Sequence, residues 1–201
     1  MQNPGRTHWE EVKRIFHYLK GTMDQKLTIG THGHWNWAEL GRQNRIRLKG
    51  FLDADGASQH HRHSSSGYVF TIGGGAVSWS SKKQSIVALS TTEAKYIAAT
   101  HAAKEALWIR MFLTEIAQPL LHPVTLYCDN QSAISVSKND QFCVQTKHID
   151  IRYHFIWDVA ERSLISVHYC PTLDMPADML TKALLVPQLT HLCHSIGLCS
   201  A

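Results

Sequence analysis

Residues 124–134, VTLYCDNQSAI, decide how the rest of this chain is arranged. A short run of β-forming residues ends at Asp129, and a helix-like segment follows at once. A strand that ends beside a helix N-terminus often carries the chemistry of a site, because the strand holds its side chains rigidly. Asp129 also has a simpler interpretation, since Asp is a preferred N-cap residue. The remainder of the chain bears on the choice between the two.

The composition indicates an ordinary folded domain with appendages. The chain has 201 residues, 44% of them hydrophobic and 18% charged, which is enough apolar material for a core and excludes a disordered chain. The formal charge of +4 makes the protein mildly basic. That balance suits a polyanionic partner, but it is too weak to identify one.

Cysteine usage and hydropathy predict an intracellular, cytoplasmic protein with no membrane partner. The five cysteines form no CxxC pair, which is typical of free thiols in a reducing compartment. Polar residues follow Met1, and no apolar run approaches membrane-spanning length. Four residues near the C-terminus could imitate a zinc site, but their spacing matches no paired-ligand pattern: His191, Cys193, His194 and Cys199.

Hydrophobic periodicity predicts the order β-β-β-α-β-α-α-β-α. Strands are expected over residues 46–55, 67–72, 76–80, 124–128 and 164–169, with helices over 7–20, 91–116, 148–162 and 176–182. We also expect a short strand at 27–29, a short helix running to about residue 138, and another from Pro187. An antiparallel meander followed by alternating strands and helices predicts a mixed sheet with helices packed on it.

Four carboxylates stand at element ends that this arrangement brings to one edge of the sheet: Asp53, Glu93, Asp129 and Asp178. Each has its own simpler explanation as a strand-end, capping-box, N-cap or first-turn residue. Clustered carboxylates repel one another, so together they favour a site for a hard divalent cation such as Mg²⁺. The same repulsion predicts that neutralising one of them stabilises the metal-free protein. Period-two alternation leaves Asp55 on the same face as Asp53.

Seven motifs carry a family resemblance: DAD at 53–55, SGY at 66–68, VSWSSKKQ at 77–84, LSTTEA at 89–94, YCDNQSA at 127–133, TKHID at 146–150 and ADMLTK at 177–182. They resemble the ribonuclease H domain of copia-type LTR retrotransposon Pol polyproteins. Residues 8–22 look like the segment that joins the reverse transcriptase to that domain. The resemblance implies an N-terminal helix and linker at 1–45, a ribonuclease H-like domain at 46–185 and a tail at 186–201.

The resemblance also implies an α/β fold, a ribonuclease H-like mixed five-stranded sheet. It implies catalytic metal ligands at Asp53, Glu93, Asp129 and Asp178, holding two Mg²⁺ ions, with Mn²⁺ as an alternative. The implied activity is cleavage of the RNA strand of RNA–DNA hybrids during reverse transcription, leaving a 3′-hydroxyl and a 5′-phosphate. The reverse transcriptase portion of the polyprotein is an expected partner, and a virus-like particle is an expected location.

Seven polar residues are candidates for nucleic-acid contacts. Lys82, Lys83 and Gln84 are expected in the loop before the long helix, as phosphate and sugar contacts or simply as a solvated turn. Asn130 and Gln131 follow Asp129 and could read the minor groove, where RNA shows its 2′-hydroxyl. Lys147 and His148 are either substrate contacts or a helix start.

Four positions depart from the family pattern: Gly56, Lys95, Cys143 and Gln145. Lys95 stands where the family pattern has a Glu and adds a cation near the site. Because two positions along a helix point to different faces, Lys95 need not touch the metals. The alternative function is a catalytically idle relic with weak nucleic-acid binding or a structural role. An integrase-type nuclease is a third hypothesis, and the D-E-D-D order of the carboxylates argues against it.

Overall fold

The computed structural model describes residues 5–30, 46–55, 63–116, 118–131 and 147–200. Its strands are β1 Gln25–Leu27, β2 Leu48–Ala54, β3 Ser65–Ile72, β4 Gly75–Lys83, β5 Val124–Cys128, β6 Ile165–Tyr169 and β7 Leu198–Ser200. Its α-helices are α1 Arg6–Gly21, α2 Thr91–Glu115, α3 Lys147–Glu161 and α4 Val186–Ser195. Two short 3-10 helices, Thr172–Asp174 and Pro176–Leu180, lie between β6 and α4.

Five of the strands form one mixed sheet in the order β4-β3-β2-β5-β6. Strands β2, β3 and β4 are an antiparallel meander, and β5 and β6 add to it in parallel. The turn between β3 and β4 needs glycine, because Gly73 and Gly74 have φ angles of 59° and 83°. The predicted mixed five-stranded sheet with packed helices is confirmed.

Helix α2 packs its small residues against the sheet. Ala94, Ala98, Ala102 and Ala106 are buried along one face, where the absence of larger side chains lets the helix approach β2 and β3 closely. They share a core with Leu52, Phe70 and Leu126 of the central strands and with Ile156 of α3. Ile116, predicted to continue this face, follows the end of the helix and is 51% exposed.

The structure differs from the sequence-based prediction at three places. Strand β4 continues through Lys83, so Lys82 and Lys83 lie in a strand and not in a loop. The segment that begins at Pro176 is a 3-10 helix of five residues instead of an α-helix reaching Lys182. Strand β1 precedes its predicted position, and β7 was not predicted. The short helix expected to run to about residue 138 lies outside the described residues, apart from its first positions.

The tail is attached to the N-terminal segment and to the sheet. Strands β1 and β7 pair antiparallel, with Gln25 opposite Ser200. The Thr28 N–H donates to the Gly197 carbonyl at 2.8 Å, and Leu192 of α4 is fully buried. The expected domain boundaries at residues 45 and 185 stay a prediction. None of the helices in the described ranges is long and apolar enough to cross a membrane.

Candidate functional site

The parallel pairing of β2 and β5 brings Asp53 and Asp129 to the same level of the sheet. Gly50 pairs with Leu126 and Phe51 with Tyr127. The same offset, continued two residues further, places Asp53 beside Asp129. Asp53 is 1% exposed, and the Asp129 side chain is 8% exposed. Two carboxylates therefore leave the central strands next to each other with little access to water.

The second 3-10 helix adds Asp178 to this edge. Met175 and Ala177 are fully buried in a small core with Phe51 and Tyr127, which fixes the segment against β2 and β5. Gly67, opposite Asp53 on β3, allows this approach, since a Cβ there would lie 3.0 Å from the Ala177 carbonyl oxygen. Asp178 is 0% exposed as a result.

Lys95 connects the two strand-end carboxylates. It projects from the first turns of α2, its side chain is 14% exposed, and its Nζ lies 3.3 Å from Asp53 Oδ1. The same Nζ donates to Asp129 Oδ1. The cation that was predicted near the site is therefore in direct contact with two of its carboxylates. A helix places residues 93 and 95 on different faces, but the long lysine stem carries its charge back to the sheet edge.

Lys182 and Thr181 complete the centre, and neither was predicted. Lys182 Nζ lies 2.7 Å from Asp178 Oδ2 and 3.7 Å from Asp53 Oδ2. The Thr181 hydroxyl donates to Asp53 Oδ2 at 2.5 Å. The spacing of four between Asp178 and Lys182 is a sequence signal that could have indicated this ion pair. Nothing local in the sequence signals the Thr181 contact across the fold.

The two fully buried aspartates have opposite pKa shifts. Burial raises the pKa of Asp53, but the Thr181 hydrogen bond and the charges of Lys95 and Lys182 outweigh it and hold the pKa below its usual range. Burial and the charge of Asp53 raise the pKa of Asp178 to about 6 in spite of Lys182. Burial lowers the pKa of Lys95, but its contacts with Asp129 and Asp53 raise the pKa by more than burial lowers it. The ammonium therefore stays charged.

The described contacts of Glu93 are local. The Ser90 hydroxyl accepts from the Glu93 N–H at 3.1 Å, as the predicted capping box requires. The Glu93 carboxylate accepts from the Leu89 N–H at 2.7 Å, one residue before the N-cap. Its other oxygen, Oε1, is buried without a hydrogen-bond partner. Among the contacts described, only the first half of the predicted capping box is therefore present, because the carboxylate binds the Leu89 N–H and not the Ser90 N–H. Oε1 remains available to a cation.

The donor chemistry of the four carboxylates fits a hard divalent ion, although the described side chains are not arranged around one. All the donors are carboxylate oxygens, the type that Mg²⁺ prefers. Both Asp178 oxygens and one each of Asp53 and Glu93 are buried without a hydrogen-bond partner. Within the described ranges, however, no three His, Cys, Asp or Glu side chains form a metal-holding group. The obstacle is Lys95, whose ammonium lies between Asp53 and Asp129.

The predicted nucleic-acid contacts fall into different environments. Lys82 and Lys83 are exposed on β4. Gln84 is 3% exposed, and its Nε2 donates to Ser66 Oγ at 2.8 Å and to the Ala94 carbonyl at 2.9 Å. The amide of Gln84 thus connects β3 to α2. The sequence around Gln84 is polar, so it did not predict this burial.

The remaining candidates are only partly described. Asn130 is half-buried and Gln131 exposed directly after Asp129. Lys147 and His148 form the first turn of α3, and their side chains lie outside the described residues. For all seven candidates a role in binding nucleic acid stays a prediction.

A basic cluster that sequence reasoning missed surrounds His101 of α2. Burial and the charges of Arg152, Lys104 and Lys82 lower the pKa of His101. These cations come from β4, α2 and α3, so only the fold brings them together. Arg152 Nη1 is buried without a hydrogen-bond partner, which is a donor suited to a phosphate oxygen.

The C-terminal histidines and cysteines have separate partners. His191 contacts Asp174 at 3.2 Å, and Cys193 Sγ lies 3.8 Å from Met179 Sδ. His194 and Cys199 contact each other at 3.4 Å. The four cysteines in the described part of the chain are free thiols.

Comparison with solved structures places the fold in the ribonuclease H class. The N-terminal ribonuclease H domain of rv2228c from Mycobacterium tuberculosis, solved as a fusion with maltose-binding protein, superposes with a TM-score of 0.50. The match covers 75% of this chain and 98% of that chain, at 12% sequence identity. This likeness concerns the fold alone.

Sequence comparison identifies the family. The chain is 46% identical over 185 residues to the retrovirus-related Pol polyprotein from transposon TNT 1-94 of Nicotiana tabacum, covering 90% of this chain and 13% of that protein. It is 37% identical over 185 residues to the corresponding polyprotein from transposon RE2 of Arabidopsis thaliana, covering 92% of this chain and 12% of that protein. No protein-family model matches the chain.

The chain belongs to the retrovirus-related Pol polyproteins of copia-type transposons, of which it has the ribonuclease H domain. It spans about an eighth of the length of these relatives. The family and fold implied by the sequence motifs are both confirmed.

Proposed function

We propose that this domain is a Mg²⁺-dependent endoribonuclease that cleaves the RNA strand of RNA–DNA hybrids. The observation that carries the proposal is the meeting of Asp53, Asp129 and Asp178 at one edge of the sheet, with buried carboxylate oxygens that lack hydrogen-bond partners. Asp53 and Asp178 are too deeply buried for ordinary surface carboxylates. Asp53, Asp129 and Asp178 come from three separate elements, which argues against a set of unrelated caps.

Each residue has a definite task in this proposal. Asp53, Asp129 and Asp178 hold the cations, with Glu93 supplying its unpartnered Oε1. Divalent ions bound there supply Lewis-acid stabilisation of charge on the phosphodiester. Thr181 fixes the orientation of Asp53 through its hydroxyl. Lys182 is 39% exposed, so its ammonium can leave Asp178 and turn towards a phosphate oxygen.

The basic cluster around His101 is the proposed contact for the hybrid backbone. Lys82, Lys104 and Arg152 come from three elements, and the positive charge of each acts on His101. Phosphate contacts of this kind position a duplex without reading its sequence. The chain's net charge of +4 is consistent with such a partner.

The direct test is cleavage of a hybrid whose RNA strand is end-labelled, in Mg²⁺ and in chelator, with duplex DNA as the control substrate. We expect cleavage of the RNA strand in Mg²⁺ only. Asp129→Asn should lower the rate by at least about 100-fold, because it removes a proposed metal ligand. Asp158→Asn is the matched control, since Asp158 is exposed on α3 and pairs only with Arg162 among the contacts described. Equal rates for parent and Asp129→Asn would refute the proposed site.

A second candidate function is hybrid binding without cleavage, and the position of Lys95 favours it. An ammonium between Asp53 and Asp129 already neutralises the carboxylates that the ions require. Equilibrium binding of an uncleaved hybrid, weakening steeply with salt and with Lys82→Gln or Lys104→Gln, would support this function if no cleavage occurs in Mg²⁺.

A further inference from the structure

Lys95 is the buried cation at the centre of the site. Its side chain comes from α2, while the two carboxylates that it contacts come from β2 and β5. The ammonium therefore occupies the point where three elements converge.

A divalent ion held by Asp53 Oδ1 and Asp129 Oδ1 would share both oxygens with the Lys95 ammonium. Both oxygens face the Lys95 ammonium, at 3.3 Å for Asp53 and in direct hydrogen bond for Asp129. A divalent ion placed between the same oxygens would lie within a few ångströms of a positive charge. At low local dielectric the repulsion over such a distance is far larger than in water.

We propose that the Lys95 ammonium is a built-in competitor for the divalent ion, and that metal binds to this centre only by displacing it from Asp53 and Asp129. The inference rests on the proposed function, because it assumes that these carboxylates are metal ligands. In the metal-free protein the lysine neutralises the centre and stabilises it. The free energy needed to displace the ammonium makes the binding free energy of the ion less favourable.

Lys182 does not have the same effect. Its ammonium is 39% exposed and its nearest partner is Asp178 at 2.7 Å, so it can move into solvent without giving up a buried position. Lys95 also has two carboxylate partners, but its side chain is only 14% exposed. Displacement of Lys95 breaks two ion pairs and requires its stem to move.

Calorimetric titration with MgCl₂ tests the competition without measuring activity. We expect Lys95→Gln, which keeps much of the side-chain length and removes the charge, to bind Mg²⁺ about tenfold more tightly than the parent. Lys95→Arg keeps the charge and should bind no more tightly than the parent. Lys20→Gln removes an exposed lysine of α1 that is not among the proposed nucleic-acid contacts, and it should leave the affinity unchanged.

Thermal melting of the same proteins gives a second readout. In chelator Lys95→Gln should melt below the parent, because Asp53 and Asp129 lose their shared counter-charge. In Mg²⁺ it should show the larger rise in melting temperature. Equal Mg²⁺ affinities for parent and Lys95→Gln would overturn the competition and leave the proposed metal site standing. Absence of Mg²⁺ binding in every variant would overturn both.

The parent protein provides a test that does not depend on a variant that folds. Acetylation of lysines, read by mass spectrometry, reports how accessible each ammonium is. Labelling of Lys95 should rise severalfold when Mg²⁺ is added, because displacement exposes it, while labelling of Lys104 stays constant. Unchanged Lys95 labelling at a Mg²⁺ concentration that saturates the calorimetric site would overturn the inference.

Discussion

Strand β2 and the second 3-10 helix each bury one aspartate, and the two side chains share Lys182. Asp53 of β2 has three donors around its carboxylate, from Thr181, Lys95 and Lys182. Asp178 has Lys182 alone among the ion pairs described, at 2.7 Å from Oδ2, and its Oδ1 has no hydrogen-bond partner. Their pKa values move in opposite directions although both are removed from water.

The difference shows that burial does not decide whether a carboxylate stabilises this fold. Burial disfavours the charge on both residues, and the number of donors determines which one overcomes that cost. The negative charge of Asp53 is matched by the protein and is part of its stability. The charge of Asp178 is stabilised by Lys182 alone among the ion pairs described, and its pKa stays raised. Asp178 is therefore the carboxylate that an added cation would stabilise most.

The largest expected effect is loss of stability in Asp53→Asn. The change leaves Lys95 with a single carboxylate and removes the negative charge that Lys95, Lys182 and Thr181 stabilise, so the unfolding free energy in chelator should fall by roughly 2–4 kcal/mol. Chemical denaturation measures it. Asp55→Asn is the matched control, with an expected change below about 0.5 kcal/mol because Asp55 is only half-buried. Equal losses in the two variants would remove the distinction between the two aspartates of the DAD motif.

Gly67→Ala should destabilise the protein through the 3-10 helix instead of through charge. A Cβ at Gly67 would lie 2.8 Å from Thr181 Cγ2, 2.9 Å from Leu180 Cβ and 3.0 Å from the Ala177 carbonyl oxygen. Because one of these atoms is backbone, the segment must shift, at roughly 1–3 kcal/mol of unfolding free energy. Gly21→Ala, where a Cβ meets nothing within 4 Å, is the control and should not destabilise. An unchanged unfolding free energy in Gly67→Ala would show that the segment is not fixed against β3.

Asp178→Asn should have the opposite sign to Asp53→Asn. A carboxyl group whose pKa is raised from 3.8 to about 6 by folding costs stability once it ionises, so the penalty grows as pH rises through this window. The variant should be more stable than the parent by about 1–2 kcal/mol at pH 8 and equal to it below pH 3.8. Denaturation at both pH values in chelator measures the difference. Destabilisation at pH 8 would mean that Lys182 already satisfies Asp178.

Thr181→Val should produce the smallest change. It removes the hydroxyl that donates to Asp53 at 2.5 Å, and the usual net contribution of such a bond is about 1 kcal/mol. Thr181→Ser keeps the hydroxyl and serves as the control. Because Val keeps the methyl group and lacks only the hydroxyl, unchanged stability in Thr181→Val would show that the hydrogen bond to Asp53 contributes nothing.

The sheet, the long helix and the positions of the four carboxylates could be predicted because their signals are local. Alternation of apolar residues marks a strand, the alanine stripe marks α2, and the motifs place Asp53, Glu93, Asp129 and Asp178. The contacts that neutralise the carboxylates could not be predicted. Helical periodicity gives the direction in which Lys95 leaves α2, but not the reach of its side chain.

The same reasoning explains two further differences. Pro176 signals the start of a helix but does not distinguish a 3-10 helix from an α-helix. Repulsion among four carboxylates predicted that neutralising any one of them stabilises the metal-free protein. With Lys95 and Lys182 in contact, that prediction now applies to Asp178 and is reversed for Asp53.

The pairing of β1 with β7 has a mechanical consequence. Gln25 lies opposite Ser200, so the outer ends of both strands leave the two-stranded sheet on the same side. A force applied at these two ends would open the residue pairs one after another, from Gln25–Ser200 to Leu27–Leu198, instead of shearing all of them together. The ladder should therefore yield at low force and lengthen the chain before the five-stranded sheet carries any load.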